Sequence, residues 1–203
     1  MMRRRMMLEN GLPSGYTKLE FIYNPSSAYI DSGVQRDAYT KCAMDINLGN
    51  QSTTYVPIFG CRNAPRDGSA KCLYIQAQKF YINYGTYDGT SGIAYTLGSK
   101  SHVELINGVY TFDDKEYKST TELTKTTSNN CGIFKIIGDT PTSKTLKLFY
   151  FKMWNGDTLI RNFIPARRKS DSVVGLYDLI GRKFYSSASN IAFQGSDETL
   201  SIS

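Results

Sequence analysis

Residues 102–112, HVELINGVYTF, contain two short runs on either side of Asn107-Gly108. Asn-Gly between two such runs is the strongest short-range signal for a β-hairpin, because both central positions of the tight turn need a positive φ. The stretch therefore predicts two antiparallel strands, 102–106 and 109–112, joined by a two-residue turn.

Extended runs separated by turn residues continue on both sides of this hairpin. In 41–48 the side chains of Cys42, Met44, Ile46 and Leu48 share one face, which is the period of a half-buried strand. No stretch sustains a period of 3.6 residues, so helices should be few and short. The other predicted strands are 18–23, 28–34, 55–61, 73–78, 79–84, 133–137, 145–154, 158–164 (ended by Pro165), 175–178 and 183–185. Strands at short, even spacing predict a sandwich or a barrel.

The composition is that of a globular β-protein. The chain has 203 residues, of which 40% are apolar and 13% aromatic, enough to bury a core without disulfides or a metal. It has no run of 18 apolar residues, and the basic start at Met1 is followed by no apolar segment. The sequence therefore predicts neither a membrane insertion nor a secretory signal.

Cysteine and histidine usage argues against a metal centre. The four cysteines, Cys42, Cys61, Cys72 and Cys131, are widely spaced, and His102 is the single histidine. Without a C-x-x-C pair this set does not fit an ordinary zinc site. We expect free thiols and synthesis in a reducing cytoplasm.

The net charge of +6 is compatible with nucleic-acid binding, but its distribution favours another interpretation. Arg3, Arg4 and Arg5 stand together, and a second group comprises Arg161 and 167–169. The other charges are spread among acids. A flexible basic tail and a solvated edge explain this pattern better, so we expect no nucleic-acid partner.

No convincing catalytic constellation can be assembled. A triad would have to use His102, which shares a strand face with Glu104, and a surface histidine is the simpler interpretation. The other close acids, Asp113-Asp114 with Glu116 and the pair Asp197-Glu198, resemble solvated turns more than a glycosidase cleft. We therefore expect no enzyme activity and no catalytic residue.

We expect no cofactor and no metal, with calcium left open. Three turns carry the oxygen side chains that hold Ca²⁺ in sandwich loops, namely Asp67-Gly68, Asp88-Gly89 and Asn155-Gly156-Asp157. Each turn is more simply explained by Asp and Asn capping their own backbone.

Aromatic residues give the best functional signal. Rings stack on the apolar faces of sugars, while Asn, Asp and Arg bind the hydroxyls. The predicted carbohydrate-binding residues, clustered in mid-chain, are Arg62, Tyr74, Tyr81, Tyr84 and Tyr87. The alternative is that alternate tyrosines fill the core and the others decorate the outside.

Several segments resemble a family of proteins in phages and prophages of gut and other Firmicutes. The runs 18–22 (KLEFI) and 28–33 (AYIDSG) resemble the family's opening LEYIES-(S/T)-GTQYIDTG. Residues 149–168 (FYFKMWNGDTLIRNFIPARR) resemble its KIWDNGTLVRDFIPARR segment, and 174–186 resemble its GLYD…GKFY close. The match runs in order from about Leu12 to Gly195. Two departures are the run 23–27, which replaces Glu-Ser-Thr-Gly-Thr, and Asn162, where Asp is common.

This resemblance implies a concanavalin A-like (laminin-G-like) jelly roll with a virion or tail-associated role. We therefore expect an all-β, two-sheet antiparallel jelly-roll sandwich over residues 13–195, a basic N-terminal arm over 1–12 and a C-terminal tail over 196–203. Arg3, Arg4 and Arg5 would anchor the arm to the virion, since a polar tail can order on a partner. The family motif residues Asp31, Arg161 and Tyr177 would fix strand ends and turns.

The leading functional hypothesis is a non-enzymatic phage structural protein: a capsid decoration, head-fibre or tail-fibre component with a glycan-binding or host-surface-binding face. The expected partners are other virion proteins, host glycans and further copies of the chain. The expected location is the virion, after synthesis in the host cytoplasm. Two alternatives stay open: a carbohydrate-binding receptor module of the tail, and a jelly-roll glycosidase with two acids within about 10 Å of each other.

Overall fold

The structure is a computed structural model that describes residues 11–49, 55–86, 92–96, 98–139 and 145–198. In these ranges the chain forms eighteen β-strands and one 3-10 turn, Arg36–Ala38. In chain order the strands are β1 (Tyr16–Lys18), β2 (Ile22–Asn24), β3 (Ile30–Gln35), β4 (Lys41–Asn47), β5 (Val56–Cys61), β6 (Ala70–Gln76), β7 (Lys79–Gly85), β8 (Ile93–Ala94), β9 (Lys100–Ile106), β10 (Val109–Phe112), β11 (Lys115–Lys118), β12 (Asn130–Ile133), β13 (Ile136–Ile137), β14 (Leu146–Asn155), β15 (Thr158–Arg168), β16 (Val174–Asp178), β17 (Lys183–Tyr185) and β18 (Gln194–Gly195).

The strands form two sheets that pack face to face. The large sheet has the order β11-β10-β9-β4-β14-β15-β16-β17, with β1 beside β15, β2 beside β14 and β18 beside β2. The small sheet has the order β3-β12-β5-β6-β7-β8, with β13 beside β5. All pairings are antiparallel except that of β13 with β5. The prediction of an all-β, two-sheet antiparallel sandwich of jelly-roll type is confirmed.

Alternation of side chains along each strand builds the core between the sheets. On β4, Cys42, Met44 and Ile46 are buried, while Lys41 and Asp45 lie on the outer face. Rings then join the two sheets: Phe59 of β5 lies 4.7 Å from Phe151 of β14, centroid to centroid. Both rings are fully buried, so this contact lies in the core between the two sheets.

The hairpin predicted from HVELINGVYTF is present as β9 and β10. Asn107 has φ +43° and Gly108 has φ +83°, as a turn of this kind requires. The next hairpin, β10–β11, turns at Asp113, which also has a positive φ of 50°. The β6–β7 hairpin uses Ala77 and Gln78 at positive φ, a turn without the usual Gly or Asn.

Strand β11 forms one edge of the large sheet. Its backbone pairs with β10 on one side only, and the exposed side chains along it are Lys115, Glu116 and Lys118. Charged side chains on an edge strand oppose pairing with another strand.

Two of the predicted strands, 18–23 and 158–164, had wrong boundaries. The run 18–23 is divided, because β1 pairs with β15 whereas β2 pairs with β14. The run beginning at Thr158 does not stop at Pro165 but continues to Arg168. The Pro165 carbonyl accepts a hydrogen bond from the Leu19 backbone, just beyond the end of β1. The missing N–H of Pro165 points to the same side, where no ladder partner is needed.

The predicted strand 133–137 is also divided. Phe134 has φ +66°, and its N–H donates to the Ile58 carbonyl at 2.6 Å. The chain reverses there, so that β12 runs antiparallel to β5 and β13 runs parallel to it. The run 133–137, four apolar residues with Lys135 among them, gave no sign of this reversal.

Candidate functional site

Three of the predicted sugar-binding residues, Arg62, Tyr74 and Tyr81, lie together on the outer side of the small sheet. The Tyr74 ring lies 4.9 Å from Tyr55 and 5.3 Å from Tyr81, and it is nearly parallel to the latter. Tyr74 is only 2% exposed. These rings therefore pack against each other and leave little of Tyr74 for a ligand.

Arg62 is occupied by an ion pair. Its Nη2 lies 2.5 Å from Asp139 Oδ2, which also accepts a hydrogen bond from the Tyr55 hydroxyl at 2.9 Å. Burial acts to lower the pKa of Arg62, but Asp139 outweighs it and raises the pKa. The Arg62 guanidinium therefore stays protonated, and the Asp139 carboxylate balances its positive charge.

Tyr84 points to the opposite side of the small sheet from Tyr81. It packs against the main core, and its carbonyl accepts a hydrogen bond from the Thr121 hydroxyl. Tyr87, like the predicted anchor Arg3–Arg5, lies outside the described residues. The predicted tyrosine set is therefore not one open surface in the part of the chain that the structure describes.

A different aromatic surface lies on the outer face of the large sheet. It is an open groove of about 500 Å³, which we call the lysine–aromatic groove. It is lined by Lys18, Leu19, Glu20, Lys100, Phe149, Tyr150, Lys152, Asn162 and Ile164. These residues come from the region of β1 and from β9, β14 and β15.

A bulge in β14 places two successive rings in this groove. Leu148 and Phe151 are buried in the core, and the two residues between them are half-buried. The register against β4 shifts between Leu148 and Tyr150, so an extra residue is accommodated on β14. Phe149 and Tyr150 can therefore both line the outer face.

The groove carries more positive than negative charge. Lys18, Lys100 and Lys152 line it with a single acid, Glu20, and Lys100 is ion-paired with Asp45 beside it. The Lys100 Nζ lies 4.6 Å from the centre of the Phe149 ring, and the Lys152 Nζ lies 5.4 Å from that of Tyr150. These ammonium groups and rings form one continuous surface.

Asn162 contributes an unpaired polar atom. Its Oδ1 is buried and has no hydrogen-bond partner within the described residues, while its backbone N–H donates to Asp178 at 2.9 Å. A buried oxygen without a donor is costly unless water or a ligand supplies one.

Beside the groove, His102 is held by a polar network. Its Nδ1 lies 2.8 Å from Asp45 Oδ1 and 3.1 Å from the Tyr150 hydroxyl, and its Nε2 lies 3.6 Å from Glu104 Oε1. The sequence placed His102 and Glu104 on one face, as observed, but missed Asp45 and Tyr150. The outward position of Asp45 in the alternating run 41–48 was the only available signal.

Asp45 and Glu104, which contact the two nitrogens of the His102 ring, lie less than about 10 Å apart. Carboxyl pairs in glycosidases have separations in this range. Both are ion-paired: Asp45 lies 2.8 Å from Lys100 and Glu104 lies 2.8 Å from Lys41. Burial acts to raise the pKa of Asp45, but its hydrogen bonds from Lys100 and His102 outweigh this and lower the pKa. A glycosidase acid instead needs a raised pKa, so Asp45 is unsuited to that role.

Of the other acids considered for a glycosidase, Asp113, Asp197 and Glu198 have structural partners. Asp113 Oδ1 accepts a hydrogen bond from the His102 backbone at 2.8 Å. Asp197 and Glu198 both contact the Arg167 guanidinium. Asp67 accepts from the Ser69 backbone at 2.9 Å, which is the capping role considered for it.

Metal ligands do not converge in the described ranges, where no group of three or more His, Cys, Asp or Glu side chains could hold an ion. Of the turns considered for calcium, Asp88-Gly89 lies outside those ranges.

The family motif residue Asp31 caps the Gly33 backbone at 2.9 Å, and Arg161 donates to the Ser32 carbonyl.

Comparisons with known proteins found no matching family model, no similar curated protein and no similar solved structure. Among the described residues, no helix has the length and apolar character needed to cross a membrane.

Proposed function

We propose that this protein is a non-enzymatic structural component of a bacteriophage particle whose sandwich displays a carbohydrate-binding groove. The sequence resemblance supports the particle role. One observation carries the binding role: Phe149 and Tyr150 line an open groove together with Lys100, Lys152 and Asn162. Rings beside hydrogen-bonding side chains are the combination that sugars require.

The charge of the groove favours an acidic sugar. Lysine donates hydrogen bonds and carries a full positive charge, so a carboxylate or phosphate on the glycan would be attracted. The family position of Asn162 commonly holds Asp, and an amide there removes a negative charge that would oppose such a ligand.

A glycosidase is disfavoured by the ion pairs around His102. Asp45 is matched by Lys100 and Glu104 by Lys41, so neither carboxylate is placed in the apolar surroundings that keep an acid protonated. We therefore propose that this network holds the groove wall in place through the Tyr150 hydroxyl.

The proposed partners are other virion proteins, further copies of this chain and host-surface glycans, with Arg3–Arg5 as the anchor to the particle. The location is the virion, as a capsid decoration, head fibre or tail fibre. A receptor-recognition module of the tail is the second candidate, because the same groove would serve it.

Binding to an array of neutral and acidic glycans tests the groove. We expect acidic glycans to bind, and Phe149→Ala or Lys152→Ala to weaken binding at least about tenfold, which corresponds to 1.4 kcal/mol. Tyr81→Ala, on the other sheet, is the matched control and should leave affinity unchanged.

Two results would contradict the binding proposal. One is the absence of binding to any glycan on the array. The other is a loss of binding in Tyr81→Ala with none in the groove variants, which would return the site to the small sheet. Circular dichroism and thermal unfolding of each variant separate lost binding from lost fold.

Mass spectrometry and cryo-electron microscopy of intact particles test the structural role. We expect the chain in purified particles, and a deletion of residues 1–8 should prevent its incorporation. If the chain is absent from particles, the virion proposal fails whatever the glycan array shows.

A further inference from the structure

All four cysteines are buried, three of them in the main core. Cys42 lies in the large sheet on β4, and Cys72 alternates with core residues on β6 and faces outward from the small sheet. Cys61 and Cys131 both face the main core. Their Sγ atoms are 2.7 Å apart.

The register of β5 and β12 explains this contact. Gly132 is paired with Gly60 in an antiparallel ladder, and Cys131 and Cys61 are the next residues of the two strands at the end of that ladder, where Cys61 also pairs with Ile137 of β13. A disulfide needs Cβ atoms about 3.5–4.5 Å apart. A bonded sulfur pair is about 2.05 Å long. Only a small inward movement separates the two thiols from a bond.

We propose that Cys61 and Cys131 form a cross-strand disulfide bond inside the small sheet. The inference does not depend on the proposed function. The other pairings are disfavoured by position, because Cys72 faces away from this core and Cys42 belongs to the opposite sheet.

The oxidant is a small disulfide such as oxidised glutathione. One cysteine loses its proton, and its thiolate attacks the glutathione disulfide, releasing one glutathione thiolate and leaving a mixed disulfide. The second cysteine loses its proton and attacks the protein sulfur of that mixed disulfide, releasing the second glutathione. The protein loses two electrons and two protons, and one glutathione disulfide becomes two thiols.

Burial controls when this reaction can occur. It raises the pKa of Cys131 well above the ordinary value, and the Cys61 contact raises it further. In the folded protein Cys131 therefore holds little thiolate, and the buried pair is closed to glutathione. The bond should form during folding, or when the β5–β12 pair opens, and it should then be protected from reductants.

The experiment uses the full chain, unfolded and refolded in a mixture of oxidised and reduced glutathione. We expect alkylation under denaturing conditions to label two of the four cysteines. Digestion with trypsin and chymotrypsin should then yield one cross-linked species that joins the Cys61 and Cys131 peptides. Oxidation should raise the Tm by roughly 5–15 °C, since the bond closes a loop of roughly 70 residues.

Matched variants separate this pair from the other thiols. Cys61→Ala should lose both the cross-link and the gain in Tm, while Cys72→Ala, buried in the same sheet, should keep both. Four labelled cysteines after the refolding cycle, or a cross-link that joins a different pair, would overturn the proposal. The wild-type peptide map decides the matter even if a variant fails to fold.

Discussion

Asp45 is the residue that connects the large-sheet network to the groove. One oxygen contacts His102 and the other contacts Lys100, each at 2.8 Å. Because these donors hold its pKa below the ordinary value of 3.8, the ionised form is favoured by folding. The Asp45 side chain is 19% exposed, but that of Lys100 is 51% exposed, so solvent screens much of their attraction.

Asp45→Asn should lower the free energy of unfolding at pH 7 by about 1 kcal/mol. A carboxylate whose pKa is lowered by folding contributes stability above its unfolded pKa, and that contribution is lost as the pH falls through the folded pKa. The difference between wild type and variant should therefore be full near neutral pH and should shrink as the pH falls below 3.8. Urea unfolding at several pH values measures it.

The control for this prediction is Asp114→Asn, which removes an exposed carboxylate from the β10–β11 turn. It should change stability by less than about 0.5 kcal/mol at every pH measured. A wild-type advantage over Asp45→Asn that stays constant as the pH falls below 3.8 would contradict the assigned role.

At this scale the sequence predicted the strand face of a residue better than its burial. The pairing of His102 with Glu104 follows from strand alternation alone. Tyr74 looked like a binding residue but is 2% exposed, because a second tyrosine layer covers it. Sequence alternation distinguishes the two sides of a strand, but it does not tell whether an outward side chain is covered.

At the scale of elements, turns and bulges decide the local geometry. The Asn107-Gly108 turn was predicted because its residue types are specific to positive φ. The bulge of β14 was not, because nothing in residues 146–155 distinguishes a bulged strand from a regular one. The continuation of β15 through Pro165 depends on where β1 ends, which is information from another part of the chain.

Alanine substitutions at three glycines distinguish the cost of backbone strain from the cost of steric contact. A Cβ on Gly60, at φ +137°, would lie 2.3 Å from the Lys71 carbonyl oxygen. A Cβ on Gly156, at φ +56°, would meet no atom within 4 Å, and Gly15 has neither constraint. We expect Gly15→Ala to be neutral, Gly156→Ala to cost about 1 kcal/mol and Gly60→Ala more than about 3 kcal/mol.

Chemical denaturation of the three variants gives this order directly. Equal losses for Gly60→Ala and Gly156→Ala would mean that the backbone at Gly60 relaxes away from Lys71. The β5–β6 ladder would then be less rigid than its hydrogen-bond register implies.

At the scale of the whole molecule, aromatic contacts join the two sheets: Phe59 packs against Phe151, and Phe80 of β7 packs against Tyr110 and Phe112 of β10. Phe59 and Phe151 belong to different sheets and are both fully buried. We therefore expect the sandwich to unfold in a single transition. Phe59→Ala and Phe151→Ala should each cost about 3–5 kcal/mol.

A double-mutant cycle tests the coupling of the sheets. The Phe59→Ala, Phe151→Ala double variant should lose at least about 0.5 kcal/mol less than the sum of the single losses. Phe184→Ala is the control, because Phe184 lies in a separate cluster with Tyr16 and Tyr177, and its loss should add to that of Phe59→Ala. Strict additivity for the first pair would contradict the coupling.

The fold class could be predicted from the sequence, but the strand order could not. Spacing and turns identify strands, whereas the order β9-β4-β14 brings together residues from distant parts of the chain. Asp45 lies 57 positions from His102, and His102 lies 48 positions from Tyr150. The groove exists only because of that order, which explains why the aromatic residues nearest in sequence suggested a different site.

The charged edge strand β11 has a consequence for crowding. Many copies of this chain held side by side would reach a local concentration at which unprotected strands pair and fuse into fibres. Lys115, Glu116 and Lys118 oppose that outcome at this edge. A dense array could then remain an array of separate molecules, each joined to its neighbours by other surfaces and each with its groove open to the solvent.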